Sequence, residues 1–141
     1  MLVACAAGET PEQQLRAWVA QGEAAVESRS VSGFAAQVSA RYRDRQGRNR
    51  RQLLALAARY FLGHRDIHLL TRIRRIELID RQRARLTLLV AMAGRPFPDP
   101  QRLPGFRADL YRFQLALARE QGEWRLTGAE WRRSSWPAFL E

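Results

Sequence analysis

Two aspartates occupy positions from which a carboxylate could act on a substrate. Asp44 lies within an arginine-rich stretch, and Asp109 begins a segment in which apolar side chains alternate. A carboxylate serves as a general base when it lies about 3 Å from the proton that it removes. Asp44 is therefore a candidate base, or else a surface acid paired with arginine, because neighbouring cations lower a carboxylate pKa and weaken the base. Asp109 is a candidate pocket residue, or else an acid that merely ends a turn.

The histidines and serines form no catalytic or metal-binding pattern in the sequence. His64 and His68 are four residues apart, but Gly63 is expected to end a helix before them, so they do not form a two-histidine helical face. No cysteine, aspartate or glutamate stands at a spacing that completes a zinc site. Ser134 and Ser135 lack the histidine and acid that would activate a nucleophile. We therefore expect neither a metal nor a cofactor.

The single cysteine, Cys5, favours a lipid anchor. The segment Leu2-Val3-Ala4-Cys5 resembles the bacterial lipobox, in which the cysteine is lipidated and becomes N-terminal after cleavage. This interpretation expects a basic and apolar leader upstream of Met1, and Ala6-Ala7 resembles an outer-membrane sorting context. It places the protein on the periplasmic side of a bacterial envelope, held to the membrane by its lipid. The alternative is a chance cysteine in a frayed terminus of a cytoplasmic protein.

The positive charge of the chain comes from arginine alone. The formal net charge is +10, and all 24 basic residues are arginine. Nucleic-acid binders usually combine arginine with lysine, so the absence of lysine indicates GC-rich coding bias rather than a nucleic-acid ligand. Binding of nucleic acid through residues 41–51 is an alternative that predicts a steep salt dependence. Attraction to anionic surfaces, including lipid headgroups, is physically reasonable.

The first half of the domain is predicted to be helical. We expect residues 1–9 to form a tether and residues 10–141 to form a single domain, a normal length for one core. Thr10-Pro11 with Gln13 has the pattern of a helix start with a capping box, and this helix is predicted to end near Ser28.

Two further helices are predicted from their capping residues. Ser30 is a candidate N-cap of a short second helix. Asn49 is a candidate N-cap of a third helix, which Gly63 is expected to end as C-terminal cap.

After Gly63 the apolar period changes from 3.6 to 2, which predicts β-strands. Ile67 to Ile73 alternate, and a change of parity predicts a bulge near Arg74-Arg75. Further strand faces are predicted at residues 84–92, 111–117 and 124–131, the last with a slip near Gly128.

Two segments are not expected to join the sheet. Gly94–Gly105 holds four of the six prolines, so we expect an ordered loop at the rim of the sheet. The apolar tail Trp136–Leu140 is expected to pack back on the domain or on a second subunit. Together with the exposed sheet face, the tail predicts a homodimer.

Helices followed by a long antiparallel sheet give an α+β class in which the sheet curls around the N-terminal helices. Over residues 10–133 this order resembles the nuclear transport factor 2-like superfamily, also described as cystatin-like, whose curved sheet forms a cone with a cavity. That superfamily includes ketosteroid isomerase, polyketide cyclases and many non-enzymatic domains. The resemblance implies the fold, whereas function depends on the side chains that line the cone.

Three segments resemble ketosteroid isomerase: Thr10-Pro11-Glu12, Asp44-Arg45-Gln46-Gly47 and Asp109-Leu110-Tyr111-Arg112-Phe113. In that enzyme the first aspartate is the general base, and the second stays protonated and donates to an oxyanion beside a tyrosine. The resemblance therefore implies these two roles for Asp44 and Asp109. The tyrosine position falls near Gly22, which has no donor side chain, so half of the oxyanion hole is missing.

A cone also implies a pocket wall made of aromatic residues, with Arg72 as a candidate partner for an acid in it. The favoured hypothesis is a non-catalytic envelope lipoprotein domain that binds a small apolar ligand or a partner protein. The alternatives are an isomerase, dehydratase or cyclase using Asp44 or Asp109, and an arginine-rich binder of nucleic acid or anionic surfaces. The expected wall residues are Trp18, Tyr42, Tyr60, Arg72, Asp109, Tyr111, Phe113 and Trp131.

Overall fold

Three helices precede a four-stranded antiparallel sheet in the computed structural model, which describes residues 8–141. The helices are α1 (Pro11–Glu27), α2 (Val31–Ala35) and α3 (Arg50–Gly63), and a short α4 (Trp136–Leu140) follows the sheet. The strands are β1 (His68–Leu78), β2 (Arg83–Ala93), β3 (Asp109–Glu120) and β4 (Glu123–Arg133), and they lie in the order β1-β2-β3-β4. This architecture is the predicted α+β arrangement.

Side-chain caps fix the starts of the long helices where the sequence predicted them. The Thr10 hydroxyl accepts from the Gln13 amide at 3.1 Å, and the Gln13 side chain accepts from the Thr10 amide at 2.9 Å. Asn49 and Gln52 form the same reciprocal pair at the start of α3. Each box satisfies two backbone N–H groups that the first helical turn leaves without partners.

The prediction that α3 ends at Gly63 is confirmed, but Gly63 does not act as the C-terminal cap. Gly63 is the last helical residue, and the helix stops because His64 adopts an extended backbone with φ −132°. The left-handed glycines lie elsewhere, at Gly47 (φ +79°) and Gly122 (φ +82°). Both occupy tight turns, where the absence of a Cβ removes the steric cost of a positive φ.

A bulge in β1 keeps the apolar side chains of that strand on one face. The β1–β2 register shifts between Ile73 and Arg75, so Arg74 is an extra residue. As a result Ile73 and Ile76 both pack against the core under the helices. A second shift in β4 lets Ala116 pair with Gly128 and Leu117 with Leu126. Both irregularities were predicted from breaks in the alternation.

The sheet carries a hydrophobic core on each face. The inner core joins the helices to alternate residues of the strands, with Leu15 of α1 and Leu53 of α3 buried in it. The outer core is smaller, and in it α4 packs against the opposite parity of β2 and β3. The predicted apolar tail therefore packs back on its own domain, which is one of the two expected alternatives. Members of the outer core are Leu89, Ala91, Leu103, Leu110, Trp136 and Phe139.

The proline-rich loop is ordered and supports α4. It contains a 3₁₀ helix, Pro100–Gly105, with Leu103 buried. The indole of Trp136 donates to the Phe106 carbonyl at 2.9 Å. The Phe97 and Phe106 rings lie 5.2 Å apart beside it. The loop thus lies on the outer sheet face rather than only at its rim.

Candidate functional site

An apolar cavity lies between the helices and the inner face of the sheet. One part has a volume of about 340 Å³ and reaches α3. A second part of about 160 Å³ extends towards α1. The two parts adjoin each other and share six wall residues: Val26, Phe34, Leu53, Met92, Phe113 and Trp131.

Two periodicities build this wall. On α3, Leu53, Leu56, Ala57 and Tyr60 recur at helical spacing and face the cavity. On β3, Tyr111, Phe113 and Leu115 alternate along the strand and face the same space, whereas the side chains between them point to the outer face. The small side chain of Ala57 leaves room in front of the aromatic residues of the sheet.

Aromatic rings line the sheet side of the cavity. The ring centroids of Tyr111 and Phe113 lie 6.1 Å apart, and those of Phe113 and Trp131 lie 5.8 Å apart. The Arg48 guanidinium lies 4.5 Å from the Trp131 ring, and that of Arg133 lies 5.4 Å from Tyr111. Such spacings are typical of favourable aromatic and cation–π contacts.

Polar groups gather on the tyrosine side of the cavity. The Asp109 carboxylate pairs with Arg133 at 3.4 Å, with its side chain 50% exposed. Burial raises the pKa of Tyr60 above its ordinary value of 10.0, and the negative charge of Asp109 adds to the effect. The Tyr60 hydroxyl is therefore protonated at neutral pH and can donate a hydrogen bond.

A buried donor without a partner belongs to the part of the cavity next to α1. Among residues 8–141, the indole Nε1 of Trp18 is shielded from solvent and makes no hydrogen bond. Trp18 lines this part of the cavity and also borders a groove between α1, α2 and β4. A buried donor left unsatisfied costs about 1–3 kcal/mol, so an acceptor that reached Nε1 after a small shift of the indole would be favoured.

The position where the resemblance expects a tyrosine is filled by another side chain. A Cβ built on Gly22 would lie 2.7 Å from the Oε1 atom of Gln37. Gln37 is buried and donates from Nε2 to the Trp18 carbonyl at 2.7 Å. Glycine at this position is explained by the close approach of Gln37.

Asp44 lies outside the cavity, in the turn before α3, where four donors hold it. It accepts from the Tyr42 hydroxyl at 2.9 Å, from Arg48 Nε at 2.8 Å, and from the backbone amides of Gln46 and Arg48 at 3.0 Å. Burial alone would raise its pKa, but these hydrogen bonds outweigh burial and lower the pKa below 3.8. Asp44 is paired with arginine as one alternative expected, but it is buried rather than on the surface. Its lone pairs are committed to the turn, which disfavours a role as base.

The expected wall residues divide into three groups. Asp109 lines neither part of the cavity and instead pairs with Arg133 in a half-exposed position, and two others also lie elsewhere. Tyr42 is buried in the core beside Asp44, and Arg72 is on the outer face, where it donates to the Phe139 carbonyl at 2.8 Å. Five residues line the cavity as expected: Trp18, Tyr60, Tyr111, Phe113 and Trp131.

The wall also includes residues that were not singled out. Leu56 and Ala57 recur with Tyr60 at helical spacing in the sequence, so the helical period of α3 was the available signal. Met92 ends the predicted face of β2, and Val26 of α1 and Phe34 of α2 also face the cavity. In each case the sequence located the buried face without showing that it was hollow.

The remaining candidate groups carry no site within the described residues. His64 stacks on Tyr60 with centroids 3.9 Å apart and contacts the Tyr60 carbonyl through Nδ1. Within residues 8–141, no three His, Cys, Asp or Glu side chains converge as metal ligands. Cys5 lies outside the described residues. Among the described helices, none has the length and apolar character needed to cross a membrane.

Comparison with known proteins defines the class of fold. No protein-family model matches the chain, and no curated protein matches it in sequence. A domain of unknown function with a cystatin-like fold from Nostoc punctiforme is similar over 94% of this chain and 85% of its own, with 19% identity and a TM-score of 0.66.

Two further solved structures give the same result. A nuclear transport factor 2-like protein of unknown function from Shewanella oneidensis is similar over 86% of this chain and 98% of its own, with 12% identity and a TM-score of 0.65. A ketosteroid isomerase-like protein from Erwinia carotovora is similar over 89% and 99%, with 10% identity and a TM-score of 0.64. The chain therefore has the nuclear transport factor 2-like, cystatin-like fold that its element order predicted. At these identities the likeness concerns the fold alone.

Proposed function

We propose that this domain binds a small, largely apolar molecule that carries a hydrogen-bond acceptor. The observation that supports this most directly is the unpartnered indole N–H of Trp18 in the wall of an otherwise apolar cavity. Ligand sites in proteins are typically apolar clefts with a few placed polar groups. A carbonyl or ether oxygen next to Trp18 would complete the missing hydrogen bond.

The shape of the site favours a flat or elongated ligand. The wall combines the aromatic rings of β3 and β4 with aliphatic side chains of α3, so one face of the ligand would lie on Phe113 and Trp131. In the part of the cavity next to α1, polar side chains in the wall are few, namely Glu23, Gln37 and Thr71. A ring system or a short acyl chain with one oxygen therefore fits better than a sugar or a nucleotide.

A catalytic role is the second candidate, supported by one electrostatic relationship. The charge of Asp109 contributes to the raised pKa of Tyr60, so an acid lies near a protonated donor of the cavity wall. An isomerase, dehydratase or cyclase would use Asp109 rather than Asp44, whose oxygens are held by the turn. If such chemistry occurs, Asp109→Asn should abolish turnover while leaving ligand binding within about twofold of the unaltered protein.

The binding proposal is tested with a fluorescent probe of matching chemistry, propionyl-dimethylamino-naphthalene. This probe is flat and apolar and has one carbonyl acceptor, and its emission responds to hydrogen bonding. We expect saturable binding that Trp18→Phe weakens by about tenfold, because Phe removes the donor and keeps the apolar surface. The same naphthalene without the carbonyl should bind both proteins equally.

Matched variants on α3 separate cavity binding from surface binding. Ala57→Phe fills the cavity and should abolish binding of both probes, whereas Ala55→Phe adds the same ring on the exposed side of the helix and should leave binding unchanged. Equal affinity of the unaltered protein and Ala57→Phe would show that the probe binds elsewhere and would contradict the proposal.

We further propose that the domain acts at a bacterial envelope, anchored through a lipid on Cys5. The support for this is the segment Leu2-Val3-Ala4-Cys5. Cells that express the native gene would be fed radiolabelled palmitate, and the label should appear on the protein and be lost in Cys5→Ala. An unlabelled protein in the cytosolic fraction would refute the anchor and leave the cavity proposal untouched.

A further inference from the structure

We propose that the outer face of the sheet is a second binding site, which docks an extended acidic segment of a partner protein. A groove of about 830 Å³ crosses this face, on the opposite side of the sheet from the apolar cavity. It lies beside the part of the outer face that α4 covers. Arginine is the most frequent residue in its lining, at six of sixteen positions. These arginines come from β1, β2, β3 and the turn before α3: Arg43, Arg45, Arg74, Arg75, Arg85 and Arg112.

The strand register explains the composition of the groove. Arg75 of β1, Thr87 of β2, Gln114 of β3 and Glu130 of β4 are successive pairing partners and form one row across the sheet. Strands lie about 4.8 Å apart, so such a row spans about 14 Å. An extended peptide covers that distance with about four residues.

Several of these arginines have no acidic partner within the described chain. Arg75 and Arg85 are exposed, and among residues 8–141 no carboxylate lies within 4.0 Å of their guanidinium groups or of Arg112. Arg112 lines the groove, and its Nε atom is shielded from solvent and has no hydrogen-bond partner. A buried cationic donor without a partner is costly, and a small turn of the side chain would bring it to a carboxylate in the groove.

A contact within the chain shows how this face can bind an acidic segment. Arg74, which lines the groove, donates to the Glu141 carbonyl at 2.7 Å and pairs with the Glu141 carboxylate at 3.2 Å. The same guanidinium contacts the Ala138 carbonyl at 3.3 Å. Backbone and carboxylate of one segment are thus bound together at the border of the groove. The neighbouring arginines can do the same for another chain.

The composition of the groove favours a peptide over other anions. Glu77 and Glu130 lie among the arginines and would repel a continuous polyphosphate, whereas a peptide can place its carboxylates at intervals between them. Thr87 and Gln114 on the groove floor can hydrogen-bond peptide amides. A second copy of this chain would bring the same arginines and a net charge of +10, so the two faces would repel each other.

The test measures fluorescence anisotropy of a labelled octapeptide of alternating glutamate and serine, added to the intact protein at low salt. We expect saturable binding that weakens as salt increases. The double variant R75Q/R85Q should bind about tenfold more weakly, and R112Q should weaken binding to a similar extent. Arg75 and Arg85 are exposed, so their double variant decides the result even if R112Q fails to fold.

A matched variant and two competing probes determine whether the groove is responsible. R51Q/R59Q removes the same charge from exposed positions of α3 and should bind the peptide within about twofold of the unaltered protein. A peptide with glutamine in place of glutamate should not bind. Equal weakening by the two double variants, or no binding at low salt, would overturn the proposal. Displacement of the peptide by single-stranded oligothymidylate at lower concentration would assign the groove to nucleic acid and would overturn it as well.

Discussion

The hydroxyl of Tyr42 donates a 2.9 Å hydrogen bond to the carboxylate of Asp44, and both groups are buried. Burial, and then the hydrogen bond to Asp44, raise the pKa of Tyr42 above its ordinary range, so the phenol keeps its proton. Arg48 closes the same turn through its own contact with Asp44. This small network connects the turn before α3 to the inner core.

Asp44→Asn is expected to destabilise the fold strongly. Asparagine leaves Arg48, which is 27% exposed, without its acidic partner, and breaking a buried ion pair costs about 3–5 kcal/mol. Tyr42→Phe removes one of four donors to the carboxylate and should cost about 1 kcal/mol. Urea unfolding measures both changes. A loss below that of Tyr42→Phe in the Asp44 variant would contradict this account of the turn.

The same carboxylate predicts a pH dependence of stability. The folded pKa of Asp44 is lowered below 3.8, so its contribution is present at neutral pH and is lost as pH falls from that value through the folded pKa. The unaltered protein should therefore lose stability faster than Asp44→Asn in acid. Denaturation series from neutral to acidic pH should show the two curves converge; a constant difference would be contrary evidence.

Filling the apolar cavity should stabilise the protein while removing the proposed ligand binding. Ala57→Phe places a ring in empty apolar space, and cavity filling commonly adds about 0.5–2 kcal/mol. The thermal midpoint of the variant without ligand should rise, whereas the rise that the naphthalene probe causes in the unaltered protein should disappear. A lower midpoint would show that the cavity is too tightly packed to accept a ring.

Trp136→Ala should both destabilise the fold and expose the outer core. Trp136 is 8% exposed and packs over Leu89, Ala91 and Leu110, and truncation of a buried tryptophan costs about 3–5 kcal/mol. Leu140→Ala, at a position 41% exposed, is the matched control and should have little effect.

The same pair of variants bears on self-association. Light scattering should show more association for Trp136→Ala, because the uncovered patch is apolar. The homodimer expected from the sequence is checked by the same measurement on the unaltered protein. One of the two features that predicted the homodimer was the apolar tail. Because the tail packs on its own sheet, it gives less support to a dimer than the sequence suggested.

The sequence predicted the features that depend on local physics. Helix starts at Thr10 and Asn49 follow from side chains that reach their own backbone, and the bulge at Arg74 follows from a break in alternation within one strand. Arg72 was misplaced although its own parity, opposite to Thr71, puts it on the outer face. The prediction relied on a supposed ion pair with Asp109 rather than on the alternation of side chains along the strand.

Other features depend on contacts between distant segments. Tyr42 lies in an irregular segment between helices, where no period shows which way a side chain points. The cavity exists because the side chains of α3 and the sheet do not fill the space between them. A stripe of apolar residues in the sequence shows which face is buried, but it does not show whether the buried space is filled or empty. The arginines of the outer groove come from β1, β2, β3 and the turn before α3, so they meet only after the sheet is in register and the turn has packed beside it.

The extra residue at Arg74 lets β1 place two isoleucines that are three positions apart on the same face of the sheet. The partners of Ile73 and Ile76 on β2 are two residues apart, so removal of Arg74 would leave a regular ladder in which both isoleucines still face the helices. A bulge bends its strand and increases the local twist. Deletion of Arg74 should therefore straighten β1 without exchanging its two faces, and it would also remove the guanidinium that holds Glu141.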